Sequence, residues 1–505
     1  MPSLLTLPLP APAANRRFAL SVAETQNWLA SVPMDNAPEA GRCVADQIAA
    51  LNRSSSPLRE RLVLTALLRD CAEQLFPALN TQIADAQIPL QSNSRAIARL
   101  IDDLLCELAY AYKLAAVELS GCWFRVGVAR RLHLPVTRAI QMLARRLALA
   151  HRIYAPVPPA VWLDMHQLYR LARLHHIEKF GLSSQNDSPL AIYRDALSLN
   201  FAGPHKMMQG ELGLAMEFLS GNGELAVFLD SVPQDPVDGL FIIQPGRDAA
   251  GIPWSKRHAR NPNISIGADE LVLNTSRLAD RALQLVDAVP DTRSGSTTSR
   301  ALPPPDSDLL RKLVRHWTAS MGRQYSRLRR NARVDICIGL HGVWNFLRRS
   351  NDSGIVQTSE WMVNNESPGG YALMHVSGPV EPLQVGEVLG VRSRDSDRVH
   401  ICIVRWVLSD SPEHVELGLE EVSPNAKPVS IARLASSGGY ALSTEPGLLL
   451  PEIPALKRAA AILAMPGSLY SSSEFHFGEP EQRVRATHLV EQTLSLQLFQ
   501  FSPAN

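Results

Sequence analysis

The chain has 505 residues, more than one hydrophobic core organises, so roughly two to four domains are expected. A hydrophobic share of 46% beside 20% charged residues excludes a largely disordered polymer. A formal net charge of +1 leaves no whole-molecule field to draw in DNA, RNA or an anionic membrane, so any anion site must be local. The six cysteines, Cys43, Cys71, Cys106, Cys122, Cys337 and Cys402, form no Cys-x-x-Cys pair, and free thiols of a reducing cytoplasm are the simplest reading. Neither a zinc site nor any other metal or cofactor is expected. Residues 1–15 are apolar and proline-rich but lack a basic n-region, so they do not read as a signal peptide. No apolar run is long enough to span a bilayer, and a cytoplasmic location is expected.

In chain order, residues 1–19 read as a flexible lead. Ser21-Val22-Ala23-Glu24 is a capping box that opens a helix. A helical period then continues to about residue 219. Its clearest stretch is Ile97, Leu100, Ile101, Leu104, Leu105, Leu108 and Tyr112, spaced by threes and fours, with Asp102, Asp103 and Glu107 off that face. Further helices are expected near 136–154, after the prolines at 156–159, over 189–201, and from Gly203-Pro204 through 219. Helices joined by short breaks predict an all-α, solenoid-like array over 20–289, although no fixed repeat length emerges. Glycines and prolines interrupt it at 222–275, where 240–243 and 271–273 read as short strands and Asn274-Thr275-Ser276 caps a helix from 277 to 288. The basic run Lys256-Arg257-His258-Ala259-Arg260 reads as a solvated loop.

Residues 290–307 are a Ser/Thr/Gly/Pro linker by composition. A connecting helix is expected over 308–328, with an apolar stripe of Leu309, Leu310, Leu313, Val314 and Trp317. From Arg311 to Arg333 there are eight Lys or Arg and no acid. Beyond that point the pattern is short and turn-bounded: strands are expected over 334–340, 354–363, 371–376, 387–392, 399–408 and 415–421, the signature of a small barrel. Further strands at 439–442, 459–463, 485–490 and 494–501 predict a second small β-domain over 432–505.

Two motifs flank the first of these strands. Arg329-Arg330-Asn331-Ala332-Arg333 carries Arg-x-x-x-Arg, a spacing this chain repeats elsewhere, as at Arg394/Arg398. Asn365-Glu366-Ser367-Pro368-Gly369-Gly370 carries Asn-x-Ser-x-x-Gly, which occurs only here. Together, in this order and followed by six strands, they resemble the PilZ domain, a bacterial β-barrel family that binds cyclic di-GMP. The run Ile403-Val404-Arg405-Trp406-Val407, a turn, then Leu417-Gly418-Leu419-Glu420 also resembles the last two strands of such barrels.

The resemblance implies a six-stranded antiparallel barrel over 329–431 and cyclic di-GMP as ligand. It carries ligand-binding roles onto Arg329, Arg333, Asn365, Ser367 and Gly370, with Arg330 and Arg327 as helpers. These residue types suit that ligand. A guanidinium fork matches the N7/O6 edge of guanine and pairs bidentately with phosphate. An amide and a hydroxyl add donors, and glycine admits a positive φ. Arg329 is expected in a loop, with Arg333 at the strand's start. Asn365 stands where the family more often has Asp, and 345–360 reads as an insertion. The function this implies is a receptor that signals to a protein partner through the helical region. The alternative is a nucleotide-independent PilZ-like scaffold or adaptor. An enzyme is not expected: the chain has no nucleophile elbow, P-loop or His-Glu-x-x-His, and His175 and His176 point to different sides of a helix.

Overall fold

A computed structural model describes residues 5–10, 20–84, 87–121, 127–231, 238–259, 266–288, 305–318, 328–348, 357–411, 413–433, 444–454, 457–471, 473–478 and 482–504. The N-terminal part is the helical array expected from the period. It runs through α1 (Val22–Leu29), α2 (Ala37–Arg53), α3 (Leu58–Thr81), α4 (Ser92–Ser120), α5 (Val128–Arg152), α6 (Val161–Leu174), α7 (Pro189–Phe201) and α8 (Glu211–Asn222). At the head of α1 the Ser21 hydroxyl accepts from the Glu24 amide, and the Glu24 carboxylate accepts from the Ser21 amide. The apolar face of α4 is buried from Ile97 to Tyr112 in one core with α2, α3 and α5. Off that face, Asp102 accepts both arms of the Arg146 fork at 2.8 Å. Lys113 and Asp164, each only 3% exposed, pair at 2.6 Å and tie α4 to α6.

The helix expected from Gly203 through 219 is broken. A 3-10 turn occupies Pro204–Lys206, and α8 starts only at Glu211, after Gly210 with φ +88°. The two strands expected near 240 and 271 exist as β2 (Leu240–Ile243) and β4 (Leu271–Asn274). With β1 (Val227–Leu229) and β3 (Ile252–Pro253) they form a four-stranded sheet in the order β1-β4-β2-β3. Lys256, Arg257 and His258 of the basic run lie in a short helix, α9 (Trp254–His258), not a loop, Arg260 lies outside the described residues, and Arg257 is held by Glu270 at 2.8 Å.

After α10 (Ser276–Ala288), the expected linker falls largely outside the described residues. The connecting helix, α11 (Pro305–Trp317), starts and stops earlier than expected. It is no free connector. Leu309, Leu313 and Trp317 lie in the helical core. The Trp317 indole donates to the Ser198 carbonyl at 2.9 Å, and the Thr275 hydroxyl donates to the Trp317 carbonyl at 2.6 Å.

The chain then forms two closed antiparallel barrels. The first comprises β5 (Leu328–Ile338), β6 (Ser359–Ser367), β7 (Gly370–Ser377), β8 (Val388–Ser393), β9 (Val399–Ser409) and β10 (Val415–Ser423), in the order β10-β7-β6-β5-β8-β9. Between β5 and β6 the stretch read as an insertion begins with a helix, α12 (Leu340–Arg348). Leu340, Val343, Trp344, Phe346 and Leu347 follow a helical spacing, and Gly339 at φ +79° makes the turn into it. The second barrel comprises β11 (Lys427–Arg433), β12 (Thr444–Leu450), β13 (Ala461–Ala464), β14 (Glu474–Phe477), β15 (Gln482–Gln492) and β16 (Gln497–Pro503), in the order β11-β12-β13-β16-β15-β14. Strand β11 thus belongs to the second barrel although it begins before residue 431, and the strand expected at 439–442 lies outside the described residues.

α12 is wedged between the barrels, in a core that joins Val343 and Phe346 to Val388 and Ile401 of the first and Leu448 and Leu463 of the second. Arg405 of β9 bridges Glu420 of β10 and Glu491 of β15. Arg458 donates to the carbonyls of Glu421 and Val422 at 2.9 and 3.0 Å. The first barrel also rests on the helical array. Leu383 donates to the Ile88 carbonyl at 2.7 Å, and Ile88, Leu90 and Tyr154 share the barrel's core with Val407 and Val415.

Candidate functional site

Strand directions give the first barrel two ends. The starts of β5 and β7 and the end of β6 lie at one end. The end of β9 and the start of β10 lie at the other, which is the end seated on the helices. Both motifs map to the end away from that seat.

The second motif is the β6–β7 hairpin. Ser367 pairs with Gly370 across a two-residue connection, Pro368-Gly369. The Ser367 hydroxyl donates to the Gly370 carbonyl at 3.3 Å. Gly370 has φ +147°, and a Cβ there would lie 1.9 Å from the Leu419 carbonyl oxygen. Only glycine lets β10 approach this corner, where the Glu421 amide donates to the Gly369 carbonyl at 3.1 Å. Asn365, two residues before Ser367, is partly exposed.

The first motif is on β5 itself. Arg329 is not in a loop: it is the second residue of the strand and stands directly opposite Asn365. Paired residues share one side of a sheet, so the guanidinium and the amide emerge together. A register shift between Arg329 and Ala332 inserts an extra residue into β5. Arg333 then falls opposite Met362, three residues along β6 from Asn365, or about 10 Å. Arg329, Arg330 and Arg333 are exposed, while Arg327 lies outside the described residues.

The guanidinium groups differ in what they touch. Among the described residues Arg329 has no ion-pair partner. Arg330 pairs with Glu366 at 2.9 Å and Arg333 with Glu360 at 2.7 Å. Arg394, just past β8, reaches the same Glu360 oxygen at 2.6 Å, and the Ser377 hydroxyl donates to the other at 2.9 Å. The hydrogen bond from Arg333, then that from Ser377, holds the Glu360 carboxyl below its ordinary range. Beside Gly370, the Tyr371 hydroxyl donates to Glu421 at 3.2 Å, and His400 Nδ1 lies 3.1 Å from the other Glu421 oxygen. That hydrogen bond raises the His400 imidazole.

The structure therefore gathers Arg329, Asn365, Ser367 and Gly370 at one corner, with Arg330 flanking and Arg333 further along β5. Sequence reading missed Glu360, Arg394, Tyr371, His400 and Glu421. Arg394 was visible only as one member of a repeated Arg spacing, and the acids carry no motif. Chemically the corner is a set of cationic forks, an amide and a hydroxyl beside a close backbone approach. Such a set can bind a planar polar ring or a phosphodiester. Among the described residues no cluster of side chains could hold a metal ion, and no helix is long and apolar enough to cross a membrane.

Residues 348–428 match the family described as the FimW middle PilZ domain. The middle barrel is a PilZ domain. Residues 23–233 match the N-terminal domain of the cyclic-di-GMP receptor FimW, and residues 430–504 match the FimW C-terminal β-barrel domain. The chain is 23% identical to the cyclic-di-GMP receptor FimW of Pseudomonas aeruginosa strain PAO1, over 94% of this chain and 90% of that protein. It is homologous to FimW along nearly its whole length, and the N-terminal, middle and C-terminal FimW domain families match it in that order. No solved structure matches the chain.

Proposed function

We propose that this chain is a cyclic di-GMP receptor in the cytoplasm. Its PilZ barrel would bind the nucleotide through Arg329, Arg333, Asn365, Ser367 and Gly370, helped by Arg330, and its helical region would pass the bound state to a protein partner. One observation carries the reading: Arg329 stands across from Asn365 at the corner whose backbone geometry requires Gly370. The homology to a named cyclic-di-GMP receptor supports it. A guanine edge matches the Arg fork, and the phosphodiester matches a second fork and the Ser367 hydroxyl. Three or four such contacts, at about 1–3 kcal/mol each, are enough for roughly micromolar affinity. The chain acts by binding, not catalysis.

Titration calorimetry of the full-length chain with cyclic di-GMP tests this. Arg333→Ala should abolish the heat and leave the thermal melt unchanged. Equal binding by wild type and Arg333→Ala would move the site elsewhere, and no heat from the wild type would favour the nucleotide-independent adaptor.

A further inference from the structure

Three side chains converge beside the motif without belonging to it. Val334 pairs with Ser393, so continuing the β5–β8 ladder one step brings Arg333 beside Arg394. Two guanidinium groups side by side repel unless an anion lies between them. Here the anion is Glu360 of β6, one of whose oxygens receives both Arg333 and Arg394, at 2.7 and 2.6 Å. Its other oxygen is fixed by the Ser377 hydroxyl at 2.9 Å. The two arginine side chains are 53% and 55% exposed, whereas Glu360 is 16% exposed. The cations face solvent and the carboxylate sits behind them. A carboxylate that accepts from two forks has the donor demand of a phosphodiester oxygen pair.

We propose that Glu360 occupies the phosphate position of the site, and that ligand binding is an exchange. The phosphodiester of the nucleotide takes over Arg333 and Arg394, and Glu360 keeps only Ser377. Arg394 is then a ligand-binding residue of the site, and Glu360 a positioning residue that sets its affinity. The proposal rests on the cyclic di-GMP reading above. Exchange explains how Arg333 can be both spent on a neighbour and available to a ligand: both guanidinium groups face solvent, an ion pair with an exposed cation is weak, and a doubly charged ligand outcompetes it.

The exchange makes Glu360 a brake. Calorimetry with cyclic di-GMP on the full-length chain should show Glu360→Gln binding about tenfold tighter than wild type, because the neutral amide no longer competes for the forks. Ser377→Ala, which loosens the far oxygen, should shift affinity the same way by a smaller factor. Arg394→Ala should weaken binding by about tenfold, a loss that persists in the Glu360→Gln background. A wild type that binds and needs Arg333, yet is indifferent to Glu360→Gln and Ser377→Ala, would overturn the exchange and leave the receptor reading intact. Weaker binding by a folded Glu360→Gln protein would also overturn it, by making Glu360 a direct ligand contact. A wild type that does not bind would remove both readings together.

Discussion

The amide of Ser409 donates to the carbonyl of Tyr154 at 2.8 Å, which seats the end of the PilZ barrel farthest from Arg329 on the chain just beyond α5. Tyr154 adopts a positive φ of 53°, rare for a residue with a side chain. Its hydroxyl donates to the Met207 carbonyl at 2.6 Å, and its ring lies in the barrel's core. One residue thus ties two helical segments to the barrel. Tyr154→Phe, which removes only the hydrogen bond, should cost about 1 kcal/mol, read as a lower urea midpoint. Tyr154→Ala should cost roughly 3–5 kcal/mol, as other buried aromatic truncations do. Amide exchange should then rise at both the end of α5 and the β9–β10 turn. Faster exchange on one side only would show that the seat holds nothing together.

Gly370 and Arg329 should separate folding from binding. Gly370→Ala puts a methyl group 1.9 Å from the Leu419 carbonyl at a φ that side chains avoid. It should lower the thermal midpoint as well as abolish cyclic di-GMP binding. Arg329 is exposed and has no ion-pair partner among the described residues, so Arg329→Ala should weaken binding while the melt stays put. A stable Gly370→Ala protein with wild-type affinity would mean that the hairpin corner plays no part in the site.

That contrast shows what could be read before coordinates. The Asn365–Gly370 motif marked a corner because its residues are adjacent and form one hairpin, and the positive φ of Gly370 is a demand of that turn, although the crowding by Leu419 could not be read from it. The apolar spacing of α4 was legible for the same reason. Arg394 and Glu360 were not, because their meeting depends on the β5–β8 and β5–β6 registers, which join residues far apart in sequence. α12 hid for another reason. It is a single amphipathic helix inside a β-rich stretch, and Gly339 and Asn345 resemble turn residues until the faces around them are known. α11 was expected as a helix over 308–328 and runs over Pro305–Trp317, and its stripe alone does not say whether the matching surface belongs to the array or the barrel.

The wedge between the barrels gives a further test. Phe346 is buried among residues of both barrels, and the Arg392 guanidinium lies 4.6 Å from its ring centroid. Phe346→Ala should destabilise the chain by roughly 3–5 kcal/mol. It should also strip Arg392 of its ring contact, leaving it Asp335 at 3.3 Å, and raise amide exchange in β8 and β12 together. If the two barrels behaved as independent beads, exchange would rise in β8 alone.

The helical array should be sensitive to acid through His151, which is buried, and through His205 and His316, which are half-buried. Burial, and then the neighbouring His205, lowers the His151 imidazole to about 3. Burial lowers His205 as well. Burial with Lys206, Arg315 and Lys312 nearby lowers His316 to about 4. Below pH about 6.5 His151 and His316 stay neutral when folded and take up a proton on unfolding, and His205 is shifted in the same direction, so the unfolded chain binds more protons there. Their contribution is therefore complete above pH about 6.5 and is lost as pH falls toward the folded values. The slope approaches about 1.4 kcal/mol per pH unit for His151 and for His316. His400, raised by Glu421, acts in the opposite sense: its contribution is complete below pH about 6.5 and fades as pH rises through its folded value. Between pH 5 and 6.5 most carboxylates are already ionised, and Asp195, which burial raises to about 6, works against the histidines there, so urea midpoints of single histidine variants are compared with wild type. Wild type should lose stability steadily over that window, and His151→Gln and His316→Gln should each flatten the loss. Profiles that stay parallel to wild type in both variants would mean that neither ring is held neutral by its surroundings.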